Sequence, residues 1–387
     1  MQFRQFGKLS WKVSALGFGA MRLPTIGEGE SLFNPNIDGP TAIKMIRHSI
    51  DEGVNYVDTA YPYHGGRSEV LVGQSLKDGY REKVKLATKM PSWLVKSYED
   101  FDRYLNEQRK RLQTDHIDFY LLHGMNKKLW PRLRDLDALA WAENKIKEGL
   151  ISYLGFSFHD DFDTFKEIVD AYSGWTFCQI QYNIMDIEYQ AGTKGLNYAF
   201  DKGLAVVIME PLRGGQLTRE FPPSVKKLWK GSSSKRSPAD LALQWIWNQP
   251  GVSVVLSGMS SMDQVIENIA SAERSGVASL DENDLALIDE VREIYRELSP
   301  IPCTNCGYCM PCPNSVNIPH AFTCYNDSII YNDLQTPRFL YFGQPQEKWA
   351  NNCIECLECE EKCPQNISIS EWLKKAHESF DKRNNTK

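Results

Sequence analysis

Across its first 302 residues the chain carries one cysteine, Cys178. Disulfides therefore cannot hold that region together. Nor is there an excess of positive charge: 44 Lys and Arg stand against 50 Asp and Glu, net −6. That balance argues against nucleic acid or an anionic membrane as a partner. No window approaches 18 uninterrupted apolar residues, so no membrane-spanning helix is expected. The opening stretch MQFRQFGKLSW lacks the apolar core of a secretory signal. The expectation is a cytoplasmic protein under reducing or anaerobic conditions. A G-x-G-x-x-G opening a helix after the first strand is also missing, which weighs against a doubly wound dinucleotide fold.

What is present is a repeated alternation. Short apolar runs at 13–19, 54–59, 84–88, 117–122, 151–156, 177–182, 204–209 and 252–257 read as strands. Amphipathic stretches such as 40–52, 98–112 and 161–172 lie between them, and a last helical segment covers 283–298. Gly53, Gly149 and Gly203 stand just before strands, where a helix ends on a left-handed residue. Eight strand–helix units in this length predict an α/β fold, a (β/α)8 TIM barrel over residues 1–298. Nine of the ten cysteines follow, so a second, small domain is expected over 299–387.

In such barrels the chemistry sits at the C-terminal strand ends. There the sequence places Asp58, Tyr63, Lys89 and His123. Each has a plain structural reading: an ion pair at the rim, a packed tyrosine, a satisfied core histidine. Together they form a proton-donating device. A tyrosine with a pKa near 10 is a poor acid at neutral pH. A lysine ammonium beside it stabilises the phenolate, and a buried aspartate keeps the lysine charged. A histidine next to the phenol orients a carbonyl oxygen or relays the proton. Carbonyl reduction requires such a donor while hydride reaches the carbon.

GVNYVDTAYPYHGGRSE resembles the signature of the aldo-keto reductases, a (β/α)8 family with a nicotinamide cofactor and a Tyr-Lys-His-Asp tetrad. The likeness covers about residues 1–270. It implies a small carbonyl or alcohol substrate and NAD(P)H. GFSFHD resembles the turn that holds the carboxamide, with Ser157 matching and Phe158 in place of an amide side chain. Gln179 fits the next carboxamide contact. In IMEPLRGGQL, Met209 stands where an aromatic often stacks on the nicotinamide. Pro211, Leu212 and Gly214 follow in the loop that approaches the pyrophosphate. SGMSSMDQVIENI resembles the adenosine-end motif, with Glu267 and Asn268 matching adenine contacts. Gly258 and Gln264 stand where many members carry basic residues for a 2′-phosphate. NAD is therefore the better match, with NADP, or no tight nicotinamide binding, left open. The resemblance also implies that the basic loop 218–237 folds over the cofactor, a solvated loop being the other reading. Trp93 and Trp130 follow strands three and four and either wall the substrate cleft or pack in the core.

The tail reads differently. Cys353, Cys356, Cys359 and Cys363 form the C-x2-C-x2-C-x3-C-P pattern of bacterial ferredoxins, and Cys303, Cys306, Cys309 and Cys312 form a run one residue shorter. Zinc usually takes separated C-x2-C pairs, which fits these runs less well. By analogy with two-cluster ferredoxins, one [4Fe–4S] cluster takes Cys303, Cys306, Cys309 and Cys363, and the other takes Cys353, Cys356, Cys359 and Cys312. Cys178 and Cys324 are left as buried thiols. Between the runs, 314–352 is rich in aromatics, Tyr331 among them, and is expected to pack against the barrel. A short strand and a helix capped by Ser370 are expected after Cys363.

Three functions stay open on these residues. The first is a carbonyl reductase or alcohol dehydrogenase with an appended electron-transfer module and an electron-transfer protein partner. The second is an electron-transfer protein whose barrel is a scaffold for a ligand or partner. The third is an ordinary reductase with structural or sensing clusters.

Overall fold

The structure, a computed structural model, describes residues 1–27, 36–218, 221–303, 307–330 and 332–381. Cys306 and Tyr331 lie outside the described residues. By contacts the chain falls into two compact units: Met1–Pro211 with Asp240–Leu280, and Leu212–Ala239 with Asp281–Lys387.

Among its described residues the first unit contains ten strands: β1 Phe3–Gln5, β2 Lys12–Ser14, β3 Leu16–Gly19, β4 Tyr56–Asp58, β5 Lys85–Met90, β6 Ile117–Met125, β7 Ile151–Phe158, β8 Phe177–Gln181, β9 Ala205–Met209 and β10 Val252–Ser257. Strands β3 to β10 are all parallel and close in sequence order, β10 pairing back to β3. Helices return the chain between them, among them Gly39–Asp51, Arg67–Ser75, Glu99–Leu112, Phe162–Ala171 and Met262–Glu273. The expected caps hold: Gly53, Gly149 and Gly203 have φ of 97°, 75° and 79°, a region costly to any residue with a Cβ.

The first expected strand, 13–19, is two strands. Lys12–Ser14 pairs antiparallel with Phe3–Gln5, and only Leu16–Gly19 joins the barrel. The break is local: the Ser14 hydroxyl donates to the Leu16 carbonyl, and the Ser14 N–H donates to the Asn55 side chain. Just after β1, Phe6 is fully buried and fills the barrel interior. Its ring centroid lies 4.7 Å from Phe119, 5.7 Å from Phe177 and 6.0 Å from Tyr56. The hairpin thus supplies an aromatic plug that three-residue strands did not announce.

Among its described residues the second unit has helices and turns but no strand. Helix Glu282–Leu298 is capped by Asp281, which accepts from the Asp284 N–H, and the Asp284 carboxylate receives Arg236 at 3.1 Å. Helices Ile318–Ile330, Gln335–Phe342 and Ile369–Asp381 enclose a core of Ile301, Val316, Phe322, Tyr341, Leu373 and Phe380. The aromatic insert therefore builds a core within this unit. The expected strand after Cys363 does not form, and Ser370 lies inside the last helix. Its backbone N–H and hydroxyl both donate to Glu360, at 2.8 and 2.7 Å. That carboxylate competes for the group a cap would have used.

Among the described residues no helix is long and apolar enough to cross a membrane.

Candidate active site and cysteine segment

Asp58 ends β4, Lys89 is the penultimate residue of β5, and His123 sits near the end of β6. Tyr63 opens a tight turn, Tyr63–Gly66, in which His64, Gly65 and Gly66 are all left-handed. The four side chains meet at the barrel rim. Lys89 Nζ donates to Asp58 Oδ1 at 2.5 Å, to the Thr59 carbonyl at 2.9 Å and to the Tyr63 hydroxyl at 3.4 Å. An ammonium has three donors, so all of them are committed. The His123 ring meets the Tyr63 ring edge-on, centroids 6.2 Å apart, and Trp93 lies 5.1 Å from His123 on another side.

Burial governs the electrostatics. It pulls Lys89 below its ordinary value against the opposing Asp58 and Glu69 carboxylates. It raises Asp58, with Lys89 opposing. It pushes the Tyr63 phenol well up, with Asp58 and Glu210 adding and Arg22 opposing. From sequence the lysine is expected to lower the Tyr63 pKa; in the folded protein desolvation wins, and the phenol keeps its proton. His123 is driven well below its ordinary value by burial, then by the Lys89 cation and by His159. It is a neutral imidazole at physiological pH, able to orient an oxygen but not to act as a cationic acid.

The cofactor-side residues divide. Ser157 and Gln179 are buried on neighbouring strands, paired in register. Ser157 Oγ accepts from the Gly124 N–H at 2.8 Å, which leaves its own proton to donate. Gln179 Oε1 is buried with no hydrogen-bond partner among the described residues. Phe158 points the other way, into the packing with Phe165 at 5.1 Å. Met209 ends β9 half-buried, and Pro211 is buried two residues on. Leu212 and Gly214 begin the second unit, with Gly214 at φ 66° and Gly215 at 88°. On helix Met262–Glu273, Asn268 donates to Ser257 at 3.0 Å, and Glu267 is exposed. Beside Gly258, where no basic side chain is encoded, Arg22 lies against the backbone: a Cβ on Gly258 would stand 3.2 Å from it. Trp130 is core, 1% exposed, whereas Trp93 is 37% exposed. A cavity of about 370 Å³ lined by Phe3, Arg4, Phe200 and Val277 opens at the N-terminal strand ends, away from these groups.

In the second unit Cys309 and Cys359 are buried in the apolar core, and Cys303, Cys312, Cys353 and Cys363 pack against it. Cys356 is exposed. Burial raises Cys353, with Cys312 and Cys356 adding to the effect. It raises Cys359 to about 11, with Cys353 and Cys312 adding. These four thiols therefore share one electrostatic neighbourhood, in which Cys312 comes from the other run. Among the described residues no three such side chains converge closely enough for a single ion.

A model of the aldo/keto reductase family matches residues 15–293. The chain belongs to the aldo/keto reductase family. A 4Fe-4S dicluster domain model matches residues 302–367. This aldo/keto reductase is 28% identical over 327 residues to the L-galactose dehydrogenase of Arabidopsis thaliana, covering 77% of the chain and 97% of that protein. It is likewise 28% identical over 324 residues to the NADH-specific methylglyoxal reductase of Escherichia coli, covering 73% and 95%. Among solved structures it resembles an aldo-keto reductase from Bacillus halodurans in its holo form, at 28% identity and TM-score 0.61, covering 75% of this chain and 96% of that one. The protein is an oxidoreductase of this family with an appended iron–sulfur module, acting on small carbonyl or alcohol substrates.

Sequence reasoning missed a second polar layer behind the reductase's strand-end groups. Glu69 is fully buried and receives Thr88, Gln108 and Arg111. His159 is buried and held down to about 4 by desolvation. Arg22 lies 3.9 Å from Glu210, whose backbone is left-handed at φ 55°. The one available signal was Glu69 within the quoted signature, in the first turn of a helix, where an exposed carboxylate is also common.

Proposed function

We propose that the barrel interconverts a small carbonyl compound and its alcohol with a nicotinamide nucleotide, NAD being the better match, and that Asp58, Tyr63, Lys89 and His123 carry the proton transfer. The observation that carries this reading is the three-way commitment of Lys89 Nζ to Asp58, Thr59 and Tyr63 at the rim. When bound, the nicotinamide supplies or accepts the hydride. The buried, unpartnered Gln179 Oε1 and the spare Ser157 proton suit the amine and oxygen of its carboxamide. Met209, Pro211, Leu212, Gly214, Glu267 and Asn268 are proposed to hold the rest of the nucleotide, on the strength of the sequence motif. The neutral His123 orients the carbonyl oxygen. Tyr63 gives that oxygen its phenolic proton, and the Lys89 ammonium stabilises the phenolate left behind. In the oxidative direction the same groups take the proton back.

The cysteine segment is proposed to hold two [4Fe–4S] clusters in the crossed ligand sets given above and to exchange electrons with a protein partner. The shared neighbourhood of Cys312 with Cys353 and Cys359 supports the crossing. The matched ranges 15–293 and 302–367 support a domain division at 298/299. Ligation would deprotonate thiols that burial otherwise keeps neutral.

Tyr63→Phe tests the first reading. Turnover should fall by about 10²–10⁴-fold while cluster absorbance is unchanged; wild-type turnover in that variant sinks the assignment. For the clusters, Cys356→Ser should lose the iron of one cluster, and unchanged iron content overturns the ligand sets. Anaerobic titration with NADH and NADPH should show tighter binding of NADH.

A further inference from the structure

Behind Lys89 lies a second buried carboxylate. Glu69, in the first turn of helix Arg67–Ser75, is fully buried. Its Oε1 accepts from Thr88 Oγ1 and Gln108 Nε2, each at 2.7 Å, and its Oε2 accepts from Arg111 Nη1 at 3.3 Å. Every neighbour donates. Gln108 Oε1 is already occupied by the Tyr120 hydroxyl at 2.6 Å, and Arg111 adds a cation that favours the charged carboxylate. A carboxyl surrounded by donors is held as the anion. Burial raises the Glu69 carboxyl above its ordinary value, and Thr88, Gln108 and Arg111 limit that rise without reversing it.

That anion is tied to Lys89 on two sides. Thr88 precedes Lys89 in the chain, and Gln108 Nε2 also donates to the Lys89 carbonyl at 2.9 Å. Through space, Glu69 adds to Asp58 in favouring the Lys89 ammonium. Arg111 reaches residues on either side of Tyr63 in the chain. The same Nη1 donates to the Tyr61 carbonyl at 3.2 Å, the guanidinium lies 4.1 Å over the Tyr61 ring, and a Cβ on Gly66 would meet it at 3.0 Å. Both contacts flank the turn that carries Tyr63.

We propose that Glu69 is a positioning residue for the carbonyl chemistry, a second buried counter-charge that keeps Lys89 protonated and, through Arg111, fixes the turn bearing Tyr63. The proposal rests on the role given to Lys89 above. Asp58 alone faces a lysine whose charge burial disfavours; two carboxylates offset that more fully. The charged and titratable groups around Lys89 are Asp58 from β4, Tyr63 from the turn, Glu69 from its helix and His123 from β6. Those around Glu69 are Arg111 and Tyr120. Arg111 in turn meets Glu107 at 2.5 Å.

Two substitutions, one on each side of the Glu69–Arg111 pair, make opposite predictions. Glu69→Gln removes the anion, so Lys89 should lose its proton at lower pH, and the alkaline limb of kcat should move down by roughly half a pH unit or more. Arg111→Gln leaves Glu69 less neutralised, and the same limb should move up. An ε-15N lysine titration of each folded variant should show Lys89 moving with the same signs. Limbs that stay put while melting temperatures fall would make Glu69 a structural residue and overturn the proposal. So would shifts of the same sign in both variants. Lys89→Met separates this from failure of the underlying reading: wild-type turnover there refutes the role of Lys89 itself, whereas lost turnover with unmoved Glu69→Gln and Arg111→Gln limbs refutes only the role of Glu69.

Discussion

The barrel rim and the cysteine segment solve opposite problems. At the rim, every donor of Lys89 is already used by protein atoms, and Glu69 behind it is surrounded by donors. The geometry is complete in the polypeptide. In the cysteine segment the protein offers an apolar core and a set of thiols, most of them half-buried. Thiols gain little by approaching one another, and their grouping has value only once metal draws off their protons. The two runs also differ from each other. CTNCGYCMPCP has no charged residue, whereas CIECLECEEKCP has four glutamates and exposes Cys356. Cluster potentials fall with surrounding negative charge, so a cluster beside the second run should sit at a lower potential than one beside the first.

The comparison breaks most visibly if iron is removed. Chelation under anaerobic conditions should abolish the cooperative melting of the second unit and leave that of the barrel in place; calorimetry before and after iron loss reads both transitions. Next in size is Lys89→Met, which strands Asp58 as a buried charge and should cost the barrel roughly 3–5 kcal/mol by denaturant titration. A smaller effect comes from pH. His159 is held at about 4 in the folded protein against an ordinary 6.5. The unfolded chain therefore binds the extra proton first, and barrel stability is full above 6.5 and falls as pH drops toward 4. The loss should reach roughly 2–3 kcal/mol. A His159→Gln variant should melt with a flatter acid limb over that window. The smallest pair is Asp161→Ala and Asp281→Ala. Each removes a helix cap, accepting from Thr164 at 2.9 Å and from Asp284 at 2.8 Å, and each should cost about 1 kcal/mol. The first should move the barrel transition, and the second shows whether helix Glu282–Leu298 melts with the barrel, as the division at 298/299 requires.

The barrel strands were legible because parallel strands buried on both faces read as continuous apolar runs, and glycines marked where helices stop. The tetrad was legible because strand ends are fixed points in such a fold. The plug hairpin was not: three-residue strands leave no periodicity, and Phe6 reads as one aromatic in a polar stretch. Glu69 was hidden for another reason. Its partners Thr88, Gln108 and Arg111 lie 19, 39 and 42 residues away, and no local pattern shows that three distant donors converge on one carboxylate. Ser370 misled because Ser followed by Glu suits a cap, and only the folded chain reveals that Glu360 reaches it first.

Trp93 carries a consequence of its own. The chain has ten tryptophans, and Trp93 is the most exposed of them, its ring 5.1 Å from His123. Trp130, Trp141 and Trp247 are sealed in the core, so a ligand that settles beside His123 should change the emission of Trp93 and leave theirs alone. The molecule thus carries its own optical gauge at the mouth of the barrel, one that reports on what enters without a label or a turnover assay.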